Sequence, residues 1–119
     1  MFINLSNHAS DLWSPAQRAA AEAWGEIVDL PFPAIDPHAD SAEVEALAET
    51  YEQRIRSMPQ PVVMVQGEYV FTFRLVRRLL NAGIPAMAAC SERRTVVSVD
   101  EIGQTFRTSV FDFVQFRPY

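Results

Sequence analysis

Three polar clusters, each following an apolar run, carry the residue types in this chain that could do chemistry. They are Ser6-Asn7-His8 after Phe2–Leu5, Gln66-Gly67-Glu68 after Val62–Val65, and Ser91-Glu92-Arg93-Arg94 after Ile84–Cys90. Hydroxyl, amide and backbone N–H groups such as those of Ser6 and Asn7 can receive a phosphate or a ribose hydroxyl. Imidazole exchanges protons near neutral pH, which makes His8 the candidate general acid or base. Gly67 lets a ligand come close to the backbone, and Glu68 can reach a hydroxyl or a base edge or serve as a base, with Tyr69 beside it. In the third cluster Ser91 offers a hydroxyl, and Arg93 or Arg94 could clamp a phosphate or stabilise a pentavalent transition state.

Each cluster also has a plain structural reading. Glu68 can be a first-turn acid that complements a helix dipole, and Glu92 can pair with a neighbouring arginine in a surface loop. Thr72 and Arg74 fall one turn further on, while Arg77 and Arg78 read as solvated charges near a helix end. Trp13, Trp24, Phe32, Phe71, Phe73 and the phenylalanines of the tail could stack a base, although aromatic residues at such positions are more often core.

If the apolar runs are parallel strands, their carboxyl ends share one sheet edge, where ligands of open α/β folds bind. The elements between them support this. Ser14-Pro15-Ala16-Gln17 opens a helix that runs to about Trp24 and stops at Gly25. Glu26–Leu30 reads as a second strand, followed by an extended loop fixed by Pro31, Pro33 and Pro37. Asp40 with Glu43 caps a second helix, whose apolar stripe is Val44, Leu47, Ala48, Tyr51 and Ile55. Pro59 and Pro61 end it, Val62–Val65 is a buried strand, and Phe71, Leu75, Val76, Leu79 and Leu80 mark a third helix ending at Asn81-Ala82-Gly83. Ile84–Ala89 is the fourth strand. Thr95–Val99, a turn at Asp100–Gly103, and an alternating run from Thr105 to Phe116 form an antiparallel hairpin. The expected architecture is a single α/β domain over residues 1–119, a Rossmann-like three-layer sandwich. Its sheet is mainly parallel, with the C-terminal antiparallel hairpin at one edge.

Composition narrows the chemistry. No Gly-rich dinucleotide fingerprint, P-loop or Gly-x-Ser-x-Gly elbow occurs, so dinucleotide cofactors, ordinary NTPases and serine hydrolases fall away. Two histidines, one cysteine and no close carboxylate pair at the strand ends argue against a zinc or magnesium site, and neither metal nor cofactor is expected. Cys90 lies in an apolar run and reads as a buried thiol. There is no leader and no apolar run near the roughly 18 residues that cross a bilayer, so a cytoplasmic protein without membrane attachment is expected.

Charge is uneven along the chain. Met1–Gln60 holds ten acids and three arginines, whereas Pro61–Tyr119 holds five acids and seven arginines. An anionic ligand belongs in the second half. The net charge of −5 opposes the wrapping of long nucleic acid, which depends on neutralising phosphates. All the basic residues are arginine, a bias that a GC-rich genome produces without functional demand.

Taken together, Ile3–His8, the Pro31–Pro37 loop, Gly67-Glu68 with Phe71–Val76, Gly83-Ile84, Ser91-Glu92-Arg93 and the Phe113–Tyr119 ending resemble the small, single-domain CRISPR-associated proteins of type III loci, with a CARF-like, Rossmann-type fold. The resemblance implies binding of cyclic oligoadenylate, the second messenger of type III CRISPR defence, across a homodimer. It also implies degradation of that messenger as a ring nuclease. The chemistry would be metal-independent, with a ribose 2′-hydroxyl attacking the adjacent phosphorus to give linear products with 2′,3′-cyclic phosphate ends. Positioning supplies most of such an acceleration. On these positions Ser6 and Asn7 would contact phosphate, His8 would transfer a proton, Arg93 or Arg94 would stabilise the phosphorane, and Glu68 would bind ribose or adenine or act as base. The residues themselves leave three other readings open: a nucleoside or NAD N-glycosidase using Glu68, a sensor or sponge that binds a cyclic nucleotide without cleaving it, and a structural interaction protein pairing through its hairpin edge.

Overall fold

In a computed structural model that describes all residues, Met1–Tyr119, five strands form one sheet in the order β2-β1-β3-β4-β5. In chain order the elements are β1 (Phe2–Ser6), a 3-10 turn (Ser10–Leu12), α1 (Pro15–Glu22), β2 (Ile27–Asp29), α2 (Ser41–Arg56), β3 (Val62–Gln66), α3 (Tyr69–Asn81), β4 (Ala86–Val99) and β5 (Thr105–Pro118). β1 pairs in parallel with β2 and with β3, and β3 with β4, while β4 and β5 are antiparallel. This is the expected Rossmann-like α/β arrangement with its edge hairpin. No helix is long and apolar enough to cross a membrane.

The local signals act as the chemistry predicts. Ser14 Oγ accepts from Gln17 N at 3.2 Å, with Pro15 at the first helical position, and Asp40 Oδ1 accepts from Glu43 N at 2.8 Å. α3 ends at Gly83, whose φ of +75° suits a residue without a Cβ.

The connection through α1 moves to one side of β1, and the connections through α2 and α3 move to the other. Right-handed crossovers therefore place α1 on the opposite face from α2 and α3. The two faces differ in depth. Ile3, Leu5, Val63 and Val65 point into the main core with Phe71, Leu75 and Leu79 of α3 and Ala48 and Ile55 of α2. The apolar cluster of the other face is smaller, with Phe2, Ala21, Val62, Met64 and Met87 buried and Trp13 and Phe116 packed against them. A helix of eight residues is too short to cover that face, and the sheet beyond it is left open.

The fourth strand departs from expectation. β4 does not end at Ala89 but continues without a break through Ser91–Arg94 to Val99, paired with β5 along its length except for an irregularity at Cys90/Ser91. β3 pairs with β4 only at Ala86 and Met87, so the rest of β4 and β5 leave the sheet as a two-stranded ribbon. Asp100 closes its turn, with Oδ1 accepting from Ile102 N at 3.0 Å and Gln104 N at 2.8 Å. Cys90 is half-buried at the root of this ribbon, not fully buried.

Candidate functional site

In the strand order 2-1-3-4-5 the direction of winding reverses between β1 and β3, and the crevice beyond their carboxyl ends is where such sheets bind ligands. A cavity of about 720 Å³ opens there, on the α1 face, within the range of small-molecule sites. The end of β1 and its loop contribute Ser6, Asn7 and His8, the end of β3 contributes Gln66 and Gly67, and the ribbon contributes Ser91, Phe111 and Phe113. Trp13, Ser14 and Gln17 close the α1 side. The three expected clusters therefore do meet, the first through all its members, the second through Gln66 and Gly67 and the third through Ser91 alone.

The β1 loop is held from beneath by side chains that the sequence does not mark. Asn4, only 2% exposed, donates through Nδ2 to His8 O at 2.7 Å and to Asp29 Oδ1 at 2.9 Å. Its Oδ1 accepts from Ser6 Oγ at 2.7 Å, and Ser6 Oγ in turn accepts from His8 N at 3.3 Å. Asp29 also accepts from Ser10 N and Ser10 Oγ, and Arg18 donates to Ser10 O at 2.8 Å. Burial pushes the Asp29 carboxyl up, but the hydrogen bonds from Asn4 and Ser10 and the charge of Arg18 outweigh it and hold the group below its ordinary value. The Ser6 hydroxyl is thus occupied within the chain, whereas the backbone N–H groups of Asn7 and Gly67 have no acceptor in it.

Gln66 acts as a side-chain extension of the sheet. Its Oε1 accepts from Ala89 N at 2.8 Å, satisfying a backbone group where β4 has already diverged from β3. The lining aromatics are Trp13, Phe111 and Phe113, and behind them Phe2 and Phe116 join Trp13 to Phe113, with Phe2 and Phe116 rings 4.8 Å apart, Phe113 and Phe116 4.9 Å apart, and Trp13 edge-on to Phe2. Phe111 lies at the mouth and is 68% exposed.

Several expected site residues sit elsewhere. Glu68 caps α3, its two oxygens accepting from Val70 N at 3.0 Å and Phe71 N at 2.7 Å, and it does not line the cavity. Tyr69 is 90% exposed, away from the cavity. Thr72 does not line it either, and its Oγ1 is buried without a partner. In the ribbon, side chains alternate between faces, so Arg93 and Arg94 cannot act together on one ligand. Arg94 pairs with Asp112 at 2.8 Å on the face away from the cavity, together with Glu92. Arg93 lies on the cavity face, beyond the lining, and donates to Ser109 Oγ at 3.0 Å. Gly67 does allow a close approach, but of Phe32: a Cβ added at Gly67 would clash with the carbon atoms of that ring.

The arginines of α3 are not simply solvated. Glu45 accepts from Arg74 at 3.2 Å and from Arg78 at 3.1 Å, and Arg78 also donates to Glu52 at 3.1 Å, tying α2 to α3. The hydrogen bond from Arg74 is the main influence holding the Glu45 carboxyl low. No three His, Cys, Asp or Glu side chains come together as a metal-ligand set.

The lining thus offers hydroxyls, amides, free N–H groups and aromatic faces, with His8 its one titratable side chain and no carboxylate or guanidinium. That combination suits a planar, hydrogen-bonding ligand such as a nucleobase with its ribose. No curated protein matches the chain. A family model matches residues 1–117, nearly the whole sheet and every lining residue, and by that match the chain belongs to the Uncharacterized protein MJ1673 family.

Proposed function

We propose that the switch-point cavity binds a cyclic oligoadenylate, and that the chain is a ring nuclease for this second messenger of type III CRISPR defence. The observation that carries the reading is the convergence of Ser6, Asn7, His8, Gly67 and Ser91 on one aromatic-walled cavity. In this reading an adenine stacks on the aromatic side chains of the lining, Trp13, Phe111 and Phe113, and hydroxyl or phosphate oxygens meet the Asn7 and Gly67 N–H groups. Cleavage then needs only an in-line 2′-hydroxyl. Its oxygen bonds to phosphorus, its proton passes to His8, and the P–O5′ bond breaks. The leaving oxygen takes a proton, leaving a 2′,3′-cyclic phosphate and a 5′-hydroxyl. A ligand of this symmetry fits a homodimer, and a cytoplasmic location is part of the proposal.

A second reading, a sensor or sponge that binds without cleaving, is favoured by the absence of any arginine from the lining. An N-glycosidase based on Glu68 has no such support, because that carboxylate is committed to the α3 cap.

The test is incubation of the protein with cyclic tri-, tetra- and hexa-adenylate in EDTA, with products resolved by liquid chromatography and mass spectrometry. The expected result is linear fragments ending in cyclic phosphate, lost in His8→Ala and retained in Glu68→Gln, with no free adenine. Bound but intact rings support the sensor. Intact rings with no bound fraction overturn the oligoadenylate reading.

A further inference from the structure

The cavity lining holds no guanidinium, yet a polyanionic ligand needs cations. The ribbon supplies them along the strip that leads away from the mouth. Cross-strand partners share a face of an antiparallel ladder, and successive pairs alternate. Since Ser91 and Phe113 line the cavity, the pairs on that side are Ser91↔Phe113, Arg93↔Phe111, Thr95↔Ser109 and Val97↔Arg107. Leading away from the cavity along β5, this face presents Phe113, Phe111, Ser109 and Arg107, at roughly 7 Å per step.

Two features set this face apart. It holds no carboxylate, and neither Arg93 nor Arg107 makes an ion pair, in a chain whose net charge is −5. On the opposite face the one arginine of the ribbon, Arg94, is neutralised by Asp112. Arg93 is held in place by its bonds to Ser109 Oγ at 3.2 and 3.0 Å, which engage Nε and one terminal nitrogen and leave the other terminal nitrogen free. The face is also uncovered, with Arg93, Thr95, Val97, Arg107 and Ser109 all exposed.

We propose that the cavity-side face of the β4–β5 ribbon is a phosphate track, in which Arg93 and Arg107 bind the phosphodiester backbone of the oligonucleotide whose base occupies the cavity. The assignment rests on the nucleotide reading of that cavity and makes Arg107 a ligand-binding residue. Arginine suits the role because its planar fork grips phosphate oxygens in pairs. A nucleotide oligomer is the occupant that fits, because the aromatic side chains Phe113 and Phe111 and the arginines Arg93 and Arg107 share one continuous face, the combination that binds single strands.

Titration of the full chain with cyclic and linear oligoadenylate and with adenosine, across a salt series, tests this. Two phosphate contacts on a single strand give a slope of log affinity against log salt near −1.4, and loss of either arginine reduces it by about 0.7. Arg107→Ala and Arg93→Ala are expected to weaken oligoadenylate binding about tenfold at low salt and leave adenosine affinity and the melting midpoint unchanged. Arg54→Ala, which removes an exposed charge on α2, should match wild type. Salt-independent binding, or wild-type affinity in both ribbon variants, overturns the track while the cavity reading stands. If wild type binds no oligoadenylate at all, both fall. Equal losses for adenosine and oligoadenylate show that the arginines shape the cavity and hold no phosphate.

Discussion

Asn4 and Asp29 face each other across the β1–β2 pair, and the Asn4 amide donates to the Asp29 carboxylate at 2.9 Å while its second hydrogen reaches His8 O. One buried amide thus fixes a strand register and the loop that carries the candidate catalytic imidazole. Asn4→Leu keeps the branched heavy-atom skeleton, though not the volume, and removes every one of these bonds. It is expected to cost about 1–3 kcal/mol, the scale of orphaning buried polar partners. The denaturant midpoint should fall with an unchanged slope, and amide exchange should accelerate at His8. Unchanged exchange at His8 would show that the loop holds its shape without Asn4.

Acid should act through the same network. The Asp29 carboxyl is held below its ordinary value near 3.8, so its contribution to stability is complete above that value. The contribution is lost as pH falls through the lower folded value. Glu45, held low chiefly by the hydrogen bond from Arg74, acts in the same direction. In urea titrations Asp29→Asn should be less stable than wild type at neutral pH, and the gap should narrow between about pH 5 and pH 2. A gap that stays constant or widens on acidification contradicts the assignment. The effect is modest, because Asp29 remains largely exposed and water screens it.

The sequence reveals what is local and hides what depends on register. Ser14 and Asp40 are legible as caps because the bonds they make span only three residues. The clusters at the ends of β1 and β3 are legible because parallel strands buried on both faces read as unbroken apolar runs with polar stops. Ser91–Arg94 misleads for the converse reason. A ribbon with both faces in water has no apolar pattern to maintain, so a continuing strand reads as a loop, and the alternation that separates Arg93 from Arg94 goes unseen. Asn4 and Asp29 escape notice, and Gln66 is seen without its role, because each depends on a residue more than twenty positions away or on a strand's exact neighbour. Arg107 gains meaning only from its pairing with Val97, which places it on the face of Phe111.

Gly67 and Phe32 provide the sharpest test of how the proline-bounded loop supports the site. The Phe32 ring fills the space a Gly67 side chain would need, and it stands edge-on to Phe71 at 5.2 Å in the main core. Gly67→Ala must therefore displace an aromatic ring, since the backbone of β3 next to it is buried and cannot yield. Overpacking of this kind costs about 1–3 kcal/mol. Phe32→Ala alone opens a void and costs a similar amount. If the clash is the whole cause, the double variant will be more stable than the two losses summed, because the alanine at 67 then has room. Strict additivity in denaturant titrations would mean that Gly67 serves the backbone or the ligand and not the ring. In that case ligand affinity, not stability, is the property that Gly67→Ala should change.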